Sequence, residues 1–62
     1  MILTLKDGLT KKEIEKILRK VKELGFTPHI SKGKEKTIIG VIGENAILAR
    51  EIFEAMEGVE FI

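Results

Sequence analysis

The residues able to do chemistry in this sequence are few, and they gather in one short stretch. Its single histidine, His29, lies two residues after Thr27 and two before Ser31. Residues two apart on a strand point to the same side, so an extended backbone here would place an imidazole and two hydroxyls on one face. Such groups donate and accept hydrogen bonds and could hold the polar head of a small ligand. A lone His, Ser and Thr on a strand are also common as plain solvated surface, and pattern alone leaves that alternative open. Catalysis has less support. His29 is the one plausible acid or base with a near-neutral reference pKa, and no sequence pattern gives it a nucleophile or an orienting carboxylate. There is no cysteine and no second histidine from which to build a metal site, and no cofactor is implied. Lys32, Lys34 and Lys36 could attract a carboxylate or phosphate, although alternating lysines more often protect an exposed sheet edge. Gly40 to Gly43 reads G-V-I-G, without the length or the lysine of a phosphate-binding loop.

The elements that must position these residues are short and well marked. Residues 1–6 are aliphatic and end at the turn signal Asp7-Gly8, which predicts a first strand with Leu3 and Leu5 on one face. Thr10 and Glu13 have the spacing of a capping box, in which each side chain satisfies an orphan N–H at a helix start. Ile14, Ile17, Leu18, Val21 and Leu24 then recur every three or four residues, with Lys and Glu on the other face and Gly25 as a left-handed stop. Residues 26–31 alternate, with Phe26, Pro28 and Ile30 opposite Thr27, His29 and Ser31. Pro28 donates no ladder hydrogen bond, so this second strand belongs at an edge. A polar turn over residues 32–35 leads to a third, β-branched strand over 36–42, making a hairpin. Gly43, Glu44 and Asn45 then break the strand. A second helix follows, with Leu48, Ala49, Ile52, Phe53 and Met56 as its expected apolar stripe ending before Gly58. Residues 59–62 have room only for the start of a fourth strand, and the chain reads as cut from something longer.

Sixty-two residues fit one domain. Two βαβ halves with right-handed crossovers give an α+β, ferredoxin-like βαββαβ sandwich. Its antiparallel sheet has the order 4-1-3-2, with both helices on one face and strand two at an edge. The other face of such a sheet would ordinarily be polar. Here strand three is apolar on both sides, so aliphatic side chains must remain on the open face whichever set points inward, and strand one adds Ile2 beside Thr4. Gly40 has no side chain and would let a ligand or another backbone come close. An aliphatic floor beside Thr27, His29 and Ser31 suits a small molecule with an apolar body and a polar head, or a partner sheet.

Other function classes fit poorly. Eleven Lys and Arg against ten Asp and Glu leave a net charge of +1, which offers little attraction to a nucleic-acid backbone or an anionic membrane. The central strands carry no aromatics to stack on bases; the three phenylalanines are Phe26, Phe53 and Phe61. The apolar runs are too short to span a bilayer and no signal peptide is evident, so a cytoplasmic location is expected. The Lys- and Glu-rich composition, with no Gln and a single Asn, is a bias of proteins from hot environments.

The stretch His29-Ile30-Ser31-Lys32-Gly33-Lys34-Glu35-Lys36-Thr37-Ile38-Ile39-Gly40-Val41-Ile42-Gly43, and above all its H-I-S-K-G run, resembles the hairpin of a known regulatory domain. The opening M-I-L-T-L-K-D-G at Met1 to Gly8 adds to the likeness, which covers essentially the whole chain. The family is the N-terminal ferredoxin-like domain of 3-deoxy-D-arabino-heptulosonate 7-phosphate (DAHP) synthase. The resemblance implies a domain that precedes a (β/α)8 barrel condensing phosphoenolpyruvate with erythrose 4-phosphate, at the start of aromatic amino-acid biosynthesis. It also implies that two such domains from different subunits of a tetramer pair around tyrosine or phenylalanine and close access to the barrel's active site. His29 and Ser31 match the positions that hold the ligand. The alternative from the residues alone is an association module without a ligand, built on the apolar face and the exposed edge strand.

Overall fold

The computed structural model describes all residues 1–62. Strand β1 (Ile2–Leu5) is followed by helix α1 (Lys11–Glu23), strands β2 (Thr27–Lys32) and β3 (Thr37–Ile42), a 3₁₀ turn (Ala46–Ala49) running into helix α2 (Arg50–Glu54), and strand β4 (Val59–Phe61). The sheet is antiparallel in the order β2-β3-β1-β4, the 4-1-3-2 order expected for a ferredoxin-like sandwich. β2 is an edge strand, as Pro28 requires.

Helix α1 is bounded by its own sequence signals. Glu13 N–H donates to Thr10 Oγ1 at 3.2 Å and Thr10 N–H donates to Glu13 Oε1 at 3.0 Å, completing the capping box. At the other end Gly25 takes a φ of +87°. Gly25 N–H donates to the Lys22 carbonyl and Phe26 N–H to the Val21 carbonyl, the paired bonds of a Schellman stop that turns the chain directly into β2. Of the predicted stripe, Ile17 and Val21 are buried and Ile14, Leu18 and Leu24 half-buried.

Leu3 and Leu5 of β1, Ile39 and Val41 of β3 and Val59 of β4 form the sheet's contribution to a single core, against Ile17 and Val21 of α1 and Ala46, Ala49 and Phe53 of the second helical segment. No polar or charged residue is buried, and no buried side-chain polar atom lacks a partner. No helix is long and apolar enough to cross a membrane.

The second helical segment departs from the expected stripe. Ala46, Ala49 and Phe53 face the core and Met56 is half-buried, whereas Leu48 is 80% and Ile52 43% exposed. The cause is the opening 3₁₀ turn, which advances three residues per turn rather than 3.6 and so rotates the buried face by about 20° per residue relative to an α-helix. Asn45 leads into it in a left-handed conformation with no side-chain cap, and Ala46, Ala49 and Phe53 are the residues of this segment buried in the core. β2 begins and ends one residue later than expected, and β1 and β3 are slightly shorter than the predicted 1–6 and 36–42.

The helix cap and the core packing are each checked by substitution. Thr10→Ala should cost about 1 kcal/mol in denaturant unfolding. The hydrogen bonds from Thr10, from its backbone first and its hydroxyl second, hold Glu13 below its ordinary pKa of 4.5. Glu13 should therefore titrate closer to that value in the variant. Because the folded-state pKa is depressed, the carboxylate's contribution to stability is present above pH 4.5 and disappears as pH falls through the folded value; the wild-type advantage over Glu13→Gln should follow that course. Phe53→Ala should cost about 3–5 kcal/mol, enough to unfold much of the population, while Leu48→Glu should stay within about 0.5 kcal/mol of wild type.

Candidate functional site

With Leu3, Leu5, Ile39 and Val41 turned to the helices, strand alternation places the intervening residues on the opposite face. The register brings them into rows across the sheet. His29 lies opposite Gly40, and Gly40 opposite Ile2. One row along, Ser31 lies opposite Ile38, Ile38 opposite Thr4 and Thr4 opposite Phe61. On the other side of His29, Thr27 pairs with Ile42. The column Thr27, His29 and Ser31 thus runs along edge strand β2 beside the floor of Ile42, Gly40 and Ile38. All three polar residues are exposed, and none of their side chains hydrogen-bonds within the chain, so their donors and acceptors are free for an outside partner.

Large apolar side chains accompany them. Ile2 is 55%, Ile42 56% and Phe61 58% exposed, too much aliphatic and aromatic surface on one face for scattered chance exposure. Phe61 reaches this face through an irregularity that sequence reasoning missed. Thr4 pairs with Phe61 but Leu5 pairs with Val59, so Glu60 is an extra residue in β4. Strict alternation would put Val59 and Phe61 on the same side; the bulge lets Val59 enter the core while Phe61 turns outward.

The same bulge sets the electrostatics at one end of the face. Lys36 Nζ donates to Glu60 Oε1 at 2.7 Å and lies 3.7 Å from Asp7 Oδ1. Its pKa is raised above 10.5, chiefly by the hydrogen bond to Glu60. Of the three hairpin lysines read as a basic tip, Lys36 is therefore engaged by carboxylates, leaving Lys32 and Lys34 exposed at the tip. A phosphate there would compete with Glu60 and Asp7. The chemistry on offer is recognition: hydrogen bonds from an imidazole and hydroxyls, and apolar contact with three isoleucines and a phenylalanine ring. No three His, Cys, Asp or Glu side chains converge, and His29 has no carboxylate partner. Concave features lie between the β1–α1 loop and the hairpin tip, between α1 and the end of α2, between α1 and β2, and between α2 and β4, and none is lined by Thr27, His29 or Ser31. The open face of one copy is a shallow floor, and enclosing a ligand requires a second surface.

Comparison with known proteins gives a consistent answer. The family model described as the DAHP synthase ferredoxin-like domain matches residues 1–62. The chain is 37% identical over 62 residues to phospho-2-dehydro-3-deoxyheptonate aldolase of Thermotoga maritima, a match that takes in 100% of this chain and 18% of that protein. The crystal structure of phospho-2-dehydro-3-deoxyheptonate aldolase (DAHP synthase) from Thermotoga maritima superposes with a TM-score of 0.87 at 37% identity, over 97% of this chain and 18% of that one. The chain thus spans less than a fifth of the length of the relative it matches.

The charged tie at the end of the face is testable. The raised pKa of Lys36 means its contribution to stability is fully present below pH 10.5 and is lost as pH rises through the folded value. The stability difference between wild type and Lys36→Met, read by denaturant unfolding, should be constant between pH 7 and about pH 10 and shrink at higher pH.

Proposed function

The chain belongs to the DAHP synthase ferredoxin-like domain family, and we propose that it is the regulatory domain of a DAHP synthase that binds tyrosine or phenylalanine between the open faces of two copies. The observation that carries this reading is the column of Thr27, His29 and Ser31 lying unpartnered beside the floor of Ile38, Gly40 and Ile42. An aromatic amino acid has an apolar ring for the floor and charged and polar groups for the imidazole and hydroxyls. His29 and Ser31 are its ligand-binding residues.

The remainder of the parent enzyme is a catalytic barrel that condenses phosphoenolpyruvate with erythrose 4-phosphate. The domain needs no catalytic group of its own to control that reaction. A ligand bound between two domains favours the paired state by the difference in its affinity for paired and separate domains. Pairing then closes the barrel's active site, so the end product of aromatic biosynthesis inhibits the first step.

Discrimination between the two amino acids rests on the phenol. Tyrosine can pair its hydroxyl with His29 or Ser31, whereas phenylalanine in the same pose leaves that group without a partner, and sites built for a hydroxyl reject its absence strongly.

A second reading is an association module with no ligand, favoured by the exposure of Ile2, Ile42 and Phe61 on one face. Titration of tyrosine and phenylalanine by NMR, with sedimentation on the same samples, separates the two. The regulatory reading expects chemical-shift changes at Thr27 to Ser31 and Ile38 to Ile42. It also expects ligand-promoted dimerisation, and affinity about 5- to 100-fold weaker in His29→Ala, the loss that follows from one hydrogen bond to a polar or charged group. A ligand-independent dimer whose open face ignores both amino acids would establish the association module instead.

A further inference from the structure

Five of the six glycines have a reason within the fold. Gly8, Gly25 and Gly58 have φ of +78°, +87° and +94°, a Cβ on Gly43 would stand 2.6 Å from Phe26 Cδ1, and one on Gly33 would stand 2.9 Å from the Lys36 carbonyl. Gly40 has neither a left-handed backbone nor a close neighbour. A Cβ there would meet only His29 Cβ at 3.6 Å and the His29 carbonyl at 3.7 Å, which is ordinary contact. It lies in the middle of β3, an internal strand paired on both sides, where glycine weakens the sheet and a β-branched residue would strengthen it. The fold tolerates this glycine without requiring it.

What its missing side chain leaves is a slot with four walls. Across the strands stand His29 and Ile2; along β3 stand Ile38 and Ile42, two residues away on either side. Neighbouring strands are about 4.8 Å apart. A flat ring standing edge-first over Gly40 would therefore lie within the range of about 4.5–7 Å at which aromatic pairs stack on one side, against the imidazole. On the other side it would be in reach of van der Waals contact with Ile2. Ile38 and Ile42 are about 13 Å apart at their Cα atoms, which leaves room for one ring lengthwise and stops it at both ends. A saturated ring has no π face with which to stack on the imidazole.

We propose that Gly40 is a specificity-determining position: the slot above it receives the planar ring of an aromatic ligand, stacked on His29, and favours it over saturated side chains of similar size. This rests on the reading of the open face as an aromatic amino-acid site and adds where the ring goes. Ser31, one row along the face, is then within reach of the ligand's polar groups, while His29 contributes its ring face as well as its nitrogens.

The test is a titration series read by NMR and sedimentation. L-phenylalanine, L-tyrosine and L-cyclohexylalanine are added to the wild-type chain, to Gly40→Ala and to Gly40→Val. The wild type should bind phenylalanine or tyrosine about 2- to 10-fold more tightly than cyclohexylalanine. Gly40→Ala should weaken aromatic binding several-fold and Gly40→Val by at least about tenfold. Both variants should remain folded, with Gly40→Ala melting about 2–8 °C higher than wild type. If Gly40→Val does not fold, Gly40→Ala, whose Cβ has room, decides. Aromatic binding within twofold of wild type in the folded variants, or equal affinity for cyclohexylalanine, overturns the slot and leaves the proposed function standing. A wild type that binds no aromatic amino acid overturns both.

Discussion

Everything in this molecule depends on the one-sided burial of a four-stranded sheet. Leu3, Leu5, Ile39, Val41 and Val59 can leave water only by pointing at the helices, and the period of two in a strand then dictates that their neighbours point away. A slip of one residue in β3 would drive Ile38 and Gly40 into the core and expel Ile39 and Val41. The packing that stabilises the domain is thus the same constraint that aligns His29 with Gly40 and Ser31 with Ile38. In a chain of 62 residues with ten buried hydrophobic side chains, no second core exists to rescue a wrong register.

The open face is the counterpart of that constraint, and it is where the chain departs from a sheet designed only to be stable. Isoleucines at 2, 38 and 42 stand where polar residues would suffice, Gly40 stands where a β-branched residue would hold the strand better, and the bulge at Glu60 turns Phe61 outward. Local departures from folding rules are expected at functional sites, where recognition competes with stability. All of these lie on one surface, and none of them lies in the core. On the proposed regulatory reading, that surface is half of a site. A ligand bound there gains enclosure only when a second copy covers it, and binding and pairing become one coupled equilibrium.

The lines between legible and illegible run along the range of the interactions involved. The capping box at Thr10 and Glu13 and the left-handed stop at Gly25 are local signals, set by backbone groups a few residues away, and the structure has them as expected. The alternation of residues 26–31 holds in burial only at Phe26 and Pro28, which are half-buried, while Ile30 on the same side of this edge strand is 39% exposed. The edge position of β2 followed from the missing N–H of Pro28. The face of the second helical segment is legible only in part: Ala49, Phe53 and Met56 turn to the core as their spacing predicts, and Leu48 and Ile52 do not. Its sequence pattern also fits an α-helical stripe through Leu48 and Ile52, and the 3₁₀ turn, which buries Ala46 and Ala49, rotates those two residues outward.

The chain's own sequence determined the element order, the two faces of β2 and the polar column Thr27, His29 and Ser31, because strand periodicity and helix caps are written in neighbouring residues; the choice of His29 and Ser31 within that column is what the family resemblance implies. Tertiary structure alone decided which residues stand across from one another. The row His29, Gly40 and Ile2 joins three strands, the extra residue at Glu60 places Phe61 on the open face, and Lys36 meets Glu60 and Asp7 from distant parts of the chain. No short-range pattern encodes those meetings. They follow from the register in which ten side chains together reach the dry side of the sheet.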